Sequence, residues 1–121
     1  MHTDTLLTTT RAVRKRLDLN RLVEEQQIIK CLEISQQAPT GSNRQGWQWV
    51  IITDKGKRRI IANYYRQGAG DYLEEGENSA RDKGAEQDFK VFESAQYLAD
   101  YMEEVPILVI PCIDTSHMPL N

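Results

Sequence analysis

The sequence has few of the residues that bind metals or form disulfide bridges, with two histidines and two cysteines among 121 residues. Neither His2 nor His117 lies at ligand spacing from cysteines or carboxylates, so we predict no metal site. Cys31 falls in a helical pattern and Cys112 in a strand pattern, where both are expected to be small buried side chains. A reducing, cytoplasmic environment is the simplest expectation for such a chain.

Long hydrophobic runs are also absent. No apolar run approaches the ~20 residues that span a membrane, and Met1–Leu7 lacks the basic start and apolar core of a signal peptide. Hydrophobic residues make up 40% and charged residues 27%, which is typical of one soluble globular domain. The net charge of −3 argues against a polyanion partner for the whole surface. We therefore predict neither a membrane nor a nucleic acid as partner.

Hydrophobic periodicity predicts helices and strands that alternate along the chain. Apolar residues on both faces of each strand indicate interior strands covered by helices. Asp54 is expected to cap the third helix at its N-terminus. The predicted core stripe of this helix is Ile60, Ile61, Tyr64 and Tyr65. After it, the stretch 67–84 is rich in Gly and Glu with few apolar anchors, so we expect a mobile surface segment or a lid. The predicted helices are 5–16, 24–37, 55–66 and 85–104, and the predicted strands are 47–53 and 107–110.

A dense basic cluster lies near the N-terminus. Arg11, Arg14 and Lys15 are spaced at i, i+3 and i+4, so a helical turn would place three cations on one face. A solvated charged face is the ordinary interpretation of such a cluster. A phosphate site is the alternative, because arginine presents a fixed fork of donors that matches phosphate oxygens. Nucleic-acid binding is disfavoured, since no aromatic residues are interleaved with the cations.

A polar loop connects the second predicted helix to the first predicted strand. Pro39 is expected to end the helix. Gly41 is expected to adopt a backbone conformation that is unfavourable for other residues. The loop chemistry alone favours a connector whose side chains satisfy their own backbone. Those side chains belong to Thr40, Ser42, Asn43 and Gln45.

Two short motifs change this interpretation. Residues 38–47, A-P-T-G-S-N-R-Q-G-W, resemble the A-P-S-S/G-x-N-x-Q-P-W signature of the nitroreductase family, with Gly46 in place of the usual proline. Residues 10–14, T-R-A-V-R, resemble that family's N-terminal R-R-S-x-R motif, with Ala12 in place of the serine. Two motifs in the right order, separated by a helix of the right length, are more specific than either alone. The resemblance extends from about Thr8 to Asp114.

The resemblance implies an α+β fold, with a nitroreductase-like mixed sheet layered between helices, in a homodimer that holds FMN at its subunit interface. It further implies electron transfer from NAD(P)H through FMN to a nitro compound, a quinone or a similar acceptor. Arg11 and Arg14 would bind the FMN phosphate, where Ala12 can offer only its backbone N–H. No catalytic acid or base is assigned. The ribityl and isoalloxazine groups would be lined by Pro39, Thr40, Gly41 and Asn43, with Gln45 in support.

Two predicted strands do not complete a sheet, because a two-stranded sheet is marginal and leaves its edges unpaired. Nitroreductase-like chains are longer, so residues 1–121 are expected to form the N-terminal portion of a single such domain. Two other functions stay open at this point. One is a flavin-binding module without enzymatic activity, or an inactive truncated fragment. The other is a helical interaction fragment that binds no ligand and uses its basic cluster to contact an acidic partner.

Overall fold

The computed structural model describes residues 2–116 and shows an α+β fold, which confirms the predicted fold class. His117, one of the histidines considered above, lies outside the described residues. Short 3-10 helices cover Gly41–Asn43 and Met102–Glu104. The α-helices are α1 (Thr3–Thr9), α2 (Glu25–Ser35), α3 (Lys55–Asp82) and α4 (Glu86–Tyr101), and the strands are β1 (Trp47–Ile52) and β2 (Leu108–Ile113).

Within the described residues the sheet is a single antiparallel pair, in which Trp47 lies opposite Ile113. Ile52, at the other end of β1, is only 8% exposed. Val50, on the same face of β1 as Ile52, is 48% exposed, and Ile113, paired with Trp47 on the other face, is 53% exposed. The prediction that both strands are buried on both faces is therefore wrong for this part of the chain. Pro111 has no N–H and lies within β2, as expected for a strand at a sheet edge.

The chain divides into two compact units. The first contains the residues up to Asp18 and Ala62–Met102, and it is helical. In it α3 and α4 run antiparallel, with the Tyr72 and Phe92 rings edge to face at 5.7 Å between centroids. Further along the pair, Arg66 donates from Nη1 to the Ala99 carbonyl at 2.9 Å. The buried apolar residues of this unit are Ala62, Leu73, Ala80 and Ala99.

A glycine lets the two helices approach closely. The Phe92 ring lies against Gly76, where an added Cβ would come within 2.2 Å of a ring carbon. Beyond it α3 ends in a Schellman motif, in which Ala85 N–H donates to the Ala80 carbonyl and Gly84 N–H to the Arg81 carbonyl. Gly84 has a φ of 63°, the left-handed conformation that this motif requires.

The predicted mobile segment or lid at 67–84 is wrong, because α3 continues through to Asp82. Two apolar anchors hold this stretch, since Leu73 is 4% and Ala80 5% exposed. The predicted core stripe is wrong as well: Ile60 is 54% and Tyr64 69% exposed. Between Ile60 and Tyr65 the buried residue is the small Ala62, at 0% exposure, rather than a large apolar one.

The second unit contains Leu19–Ile61 and the residues from Glu103 onward, and it includes α2, both strands and the start of α3. The predicted helix 24–37 is confirmed as α2, and the predicted cap at Asp54 is confirmed, since its Oδ1 accepts the Lys57 N–H at 2.8 Å. Arg58 joins the two strand ends: its Nη1 donates to the carbonyls of Thr53 and Pro106. Both cysteines are free thiols and exposed, so the expectation that they are buried is wrong.

Two further findings concern membrane-spanning helices and metal-binding clusters. No helix in the described part of the chain is both long and apolar enough to cross a membrane. Among the same residues, no group of three or more histidines, cysteines and carboxylates lies close enough together to hold a metal ion.

Candidate functional site

The basic cluster forms a pocket in the first unit. Residues 11–16 and Ser94 of α4 line a cavity of about 320 Å³, here called the basic pocket. The segment that carries the cations is not helical, because α1 ends at Thr9 and Thr10 is extended. Residues 14–16 form a turn, in which Leu17 N–H donates to the Arg14 carbonyl at 3.2 Å. The predicted helix over 5–16 is therefore wrong beyond Thr9, and the cations converge through a turn rather than along a helical face.

The end of α1 follows from its sequence. Three consecutive threonines close it, and the hydroxyls of Thr8 and Thr10 donate to the carbonyls of Asp4 and Leu6, four residues earlier. Such hydroxyls compete for the carbonyls that a continuing helix would use, and β-branched side chains are restricted in a helix. The chain consequently leaves the helix just before its first arginine.

The cations of the basic pocket differ in how far they are neutralised. Lys15 Nζ lies 2.7 Å from a carboxylate oxygen of Glu93, so its charge is paired. Arg11 donates from Nη1 to the carbonyls of Thr10, at 2.7 Å, and Thr8, at 3.3 Å. Arg14 donates from Nη1 to Ser94 Oγ at 3.4 Å. A neutral partner engages one guanidinium nitrogen of each arginine, and each side chain keeps further N–H donors.

Two other donors face no acceptor. Arg16 makes no ion pair or hydrogen bond with any residue that the structure describes, and the backbone N–H of Ala12 likewise has no acceptor within 2–116. The basic pocket therefore combines an excess of positive charge with unused N–H donors. This donor set fits a phosphate group, which needs both.

Sequence reasoning missed the α4 side of this pocket. Glu93 and Ser94 follow each other on α4, and they contact the consecutive residues Lys15 and Arg14. About eighty positions separate the partners along the chain, and neither residue stands in a recognisable motif. Only the packing of the segment after α1 beside α4 reveals them.

The loop between α2 and β1 lies in the second unit, where it brings together three of the predicted site residues. Thr40 Oγ1 accepts the backbone N–H of Gln45 at 3.0 Å, and the Thr40 carbonyl accepts that of Asn43 at 2.9 Å. The Gln45 amide nitrogen donates to Asn43 Oδ1 at 3.1 Å. The loop thus satisfies much of its own backbone, while the side chains of Asn43 and Gln45 stay exposed.

The backbone of this loop is strained, though not at its glycine. Ser42, Asn43 and Gln45 have φ values of 55°, 51° and 48°, in the left-handed region that non-glycine residues rarely adopt. Gly41 is not in that region, so the predicted need for a glycine conformation at this position is wrong. A Cβ at Gly41 would meet nothing within 4 Å, so open space adjoins the backbone there. Strain of this kind persists where the surrounding structure enforces it, and it is common at ligand sites.

The loop is anchored at the start of β1. The Gly46 carbonyl accepts the Asp114 N–H at 2.9 Å, which ties the loop to the end of β2. Trp47 is half-buried, and the indole N–H groups of Trp47 and Trp49 are buried without an acceptor among the described residues. The indole of Trp47 therefore adds no hydrogen bond to this anchor within the described residues.

The structure places the predicted site residues in two groups, one in each unit. Arg11, Ala12 and Arg14 line the basic pocket of the first unit. The loop residues belong to the second unit, where Pro39 is exposed and precedes the 3-10 helix. The residues of this loop group are Pro39, Thr40, Gly41, Asn43 and Gln45.

Comparison with known proteins identifies the family of the chain. No curated protein matches the chain. A family model, described as the Nitroreductase family, matches residues 7–119, a range that includes both the basic pocket segment and the polar loop. The match covers most of the chain. The chain therefore belongs to the nitroreductase family, a family of flavin-dependent oxidoreductases.

Proposed function

We propose that this chain binds FMN and transfers electrons from NAD(P)H to a nitro compound, a quinone or a similar acceptor. The observation that carries the proposal is the basic pocket. Its arginines have no acidic partner within residues 2–116, and they line the pocket beside a backbone N–H that has no acceptor there. FMN, when bound, supplies the redox chemistry, and the protein holds and orients it.

The phosphate end of FMN is assigned to the basic pocket. Arg11 and Arg14 each keep guanidinium donors beyond the one nitrogen that bonds within the protein. Charge-assisted hydrogen bonds from such donors are about twice as strong as neutral ones, and a forked guanidinium can contact two phosphate oxygens. The Ala12 N–H would add a backbone donor to the same group.

The rest of the flavin is assigned to the polar loop. The exposed Asn43 side chain accepts from Gln45 through Oδ1, so its amide N–H groups stay available to a ligand. The open space beside Gly41 allows a ring or a ribityl chain to approach the backbone closely, which is a common role of glycine. Pro39 and Thr40 would line the same surface, and Gln45 supports Asn43 by its hydrogen bond.

Steady-state oxidation of the nicotinamide tests this function. With FMN and a quinone or nitroaromatic acceptor present, the protein is expected to oxidise NADH or NADPH well above the rate with free FMN alone. Arg14→Ala provides the control, because it should lower that rate at limiting FMN and less so at saturating FMN. A protein that binds FMN but does not accelerate oxidation with either nicotinamide would be a flavin-binding module without enzymatic activity.

We also propose that the protein is a homodimer. Among residues 2–116, fifteen large apolar side chains are at least 37% exposed, and Leu7, Leu22 and Ile34 are 72%, 89% and 67% exposed. Exposed apolar surface of this extent is typical of proteins that associate. Sedimentation velocity at micromolar concentration is expected to show a species of twice the chain mass. A compact monomer under these conditions would contradict the proposal.

We propose three further properties of the protein. They are the cytoplasmic location, the absence of a nucleic-acid partner, and the assignment of residues 1–121 to the N-terminal portion of a single domain.

A further inference from the structure

We propose that Ser94 positions Arg14 for phosphate binding, an inference that rests on the proposed FMN function of the basic pocket. Ser94 lies on α4, with its Oγ accepting a hydrogen bond from Arg14 Nη1 at 3.4 Å and donating one to the Val91 carbonyl at 2.9 Å. Among the described residues that line the pocket, Ser94 is the one with a hydroxyl side chain. Ser94 is half-buried, so part of its environment is shielded from water.

The Ser94 hydroxyl is the donor in one of its hydrogen bonds and the acceptor in the other. A serine hydroxyl has one proton and two lone pairs, and the proton is engaged by the Val91 carbonyl. The oxygen therefore presents only lone pairs toward the pocket, where they suit a guanidinium and would repel a phosphate oxygen. Ser94 consequently acts through Arg14 rather than by touching the phosphate itself.

The position of Arg14 affects binding because its long side chain can adopt many rotamers, and binding a ligand restricts them. Holding one N–H on Ser94 restricts the guanidinium before any ligand arrives, and its other N–H groups stay available as donors. Such preorganisation strengthens binding by reducing the entropy lost on association. The neighbouring pair of Lys15 and Glu93 fixes the next residue of the segment to the same helix. Two consecutive residues of α4 thus hold two consecutive residues of the turn at 14–16.

Flavin binding by the full chain tests the inference. Ser94→Ala is expected to weaken FMN binding by about twofold to tenfold, the range for one modest hydrogen bond, and to leave riboflavin binding unchanged. Ser94→Thr keeps the hydroxyl and should restore most of the FMN affinity. The dissociation constants of both flavins are measured by quenching of flavin fluorescence. Inorganic phosphate, titrated by calorimetry, is a second probe, and Ser94→Ala should weaken phosphate binding to a similar degree.

A matched control separates positioning from helix stability. Ser35 of α2 makes the same kind of bond, from its Oγ to the Leu32 carbonyl at 2.8 Å, and no arginine of the described residues donates a hydrogen bond to it. Ser35→Ala should match Ser94→Ala in thermal stability while leaving both flavin affinities unchanged.

A double-mutant cycle decides whether Ser94 works through Arg14. In an Arg14→Ala background, Ser94→Ala is expected to have no further effect on FMN binding. Independent losses in the double variant would overturn the positioning role while leaving the proposed function intact. If Arg14→Ala itself left the ratio of FMN to riboflavin affinity unchanged, the proposed function would fail instead. A protein that bound neither FMN nor inorganic phosphate would overturn both.

Discussion

Replacing Arg14 with alanine is expected to weaken FMN binding by roughly tenfold to a hundredfold and to leave riboflavin binding nearly unchanged. A hydrogen bond to a charged group contributes about 1.5–3 kcal/mol, and each 1.4 kcal/mol is about tenfold in affinity. Riboflavin lacks the phosphate, so the loss should be confined to FMN. Arg11→Ala is expected to behave in the same way, because Arg11 lines the same pocket and keeps donors beyond its bonds to Thr8 and Thr10.

Lys15→Ala is the control for this pair. Lys15 lines the same pocket, but its ammonium is paired with Glu93 at 2.7 Å, and both side chains are nearly half exposed. An exposed ion pair of this kind is worth little, and its residual field is screened at near-physiological salt. Lys15→Ala should therefore change the FMN affinity much less than either arginine variant. Equal losses of FMN and riboflavin in Arg11→Ala and Arg14→Ala would mean that these arginines support the fold.

The second large effect is expected at Gly76. Gly76→Ala should lower the free energy of unfolding by about 1–3 kcal/mol, the usual cost of overfilling a packed site. An alanine Cβ would come within 2.2 Å of the Phe92 ring, and the other two nearest ring atoms lie at 2.4 and 2.6 Å. Either the ring must rotate out of its contact with Tyr72 or α3 must move away from α4. Chemical denaturation monitored by circular dichroism measures the change.

The same helix supplies matched controls. Gly68 and Gly70 also lie in α3, and a Cβ at either would meet nothing within 4 Å. Gly68→Ala and Gly70→Ala are expected to stabilise the protein by about 0.5–1 kcal/mol, because alanine is the better helix former and restricts the unfolded chain. If Gly76→Ala stabilised the protein as these two do, the close packing of Phe92 on Gly76 would be contradicted.

Local signals were sufficient to predict several elements. The apolar spacing of α2, the β-branched and aromatic run of β1 and the capping carboxylate of Asp54 all act within a few residues, and the structure confirms each of them. The polar loop was located from its proline and amide side chains. Its left-handed residues were not predicted, because Ser42 and Gln45 take a conformation that their side chains disfavour.

Distant contacts account for what the sequence could not predict. The second half of α3 has the composition of a loop, and it is held as a helix by Leu73, Ala80 and the close approach of Phe92 to Gly76. Packing of this kind overrides the weak helix propensity of glycine. The basic pocket depends in the same way on α4, whose Ser94 contacts a residue eighty positions earlier. A search for local motifs found the arginines but could not find what orients them.

Whether this chain binds FMN through its phosphate is tested by the identity of its chromophore. The protein is purified, its ligand is released by denaturation, and the ligand mass is determined, with apoprotein reloaded from an equimolar mixture of FMN, FAD and riboflavin. We expect a yellow protein that releases FMN on denaturation and selects FMN from the mixture. A protein that released or selected riboflavin, or that stayed colourless after incubation with FMN, would contradict it.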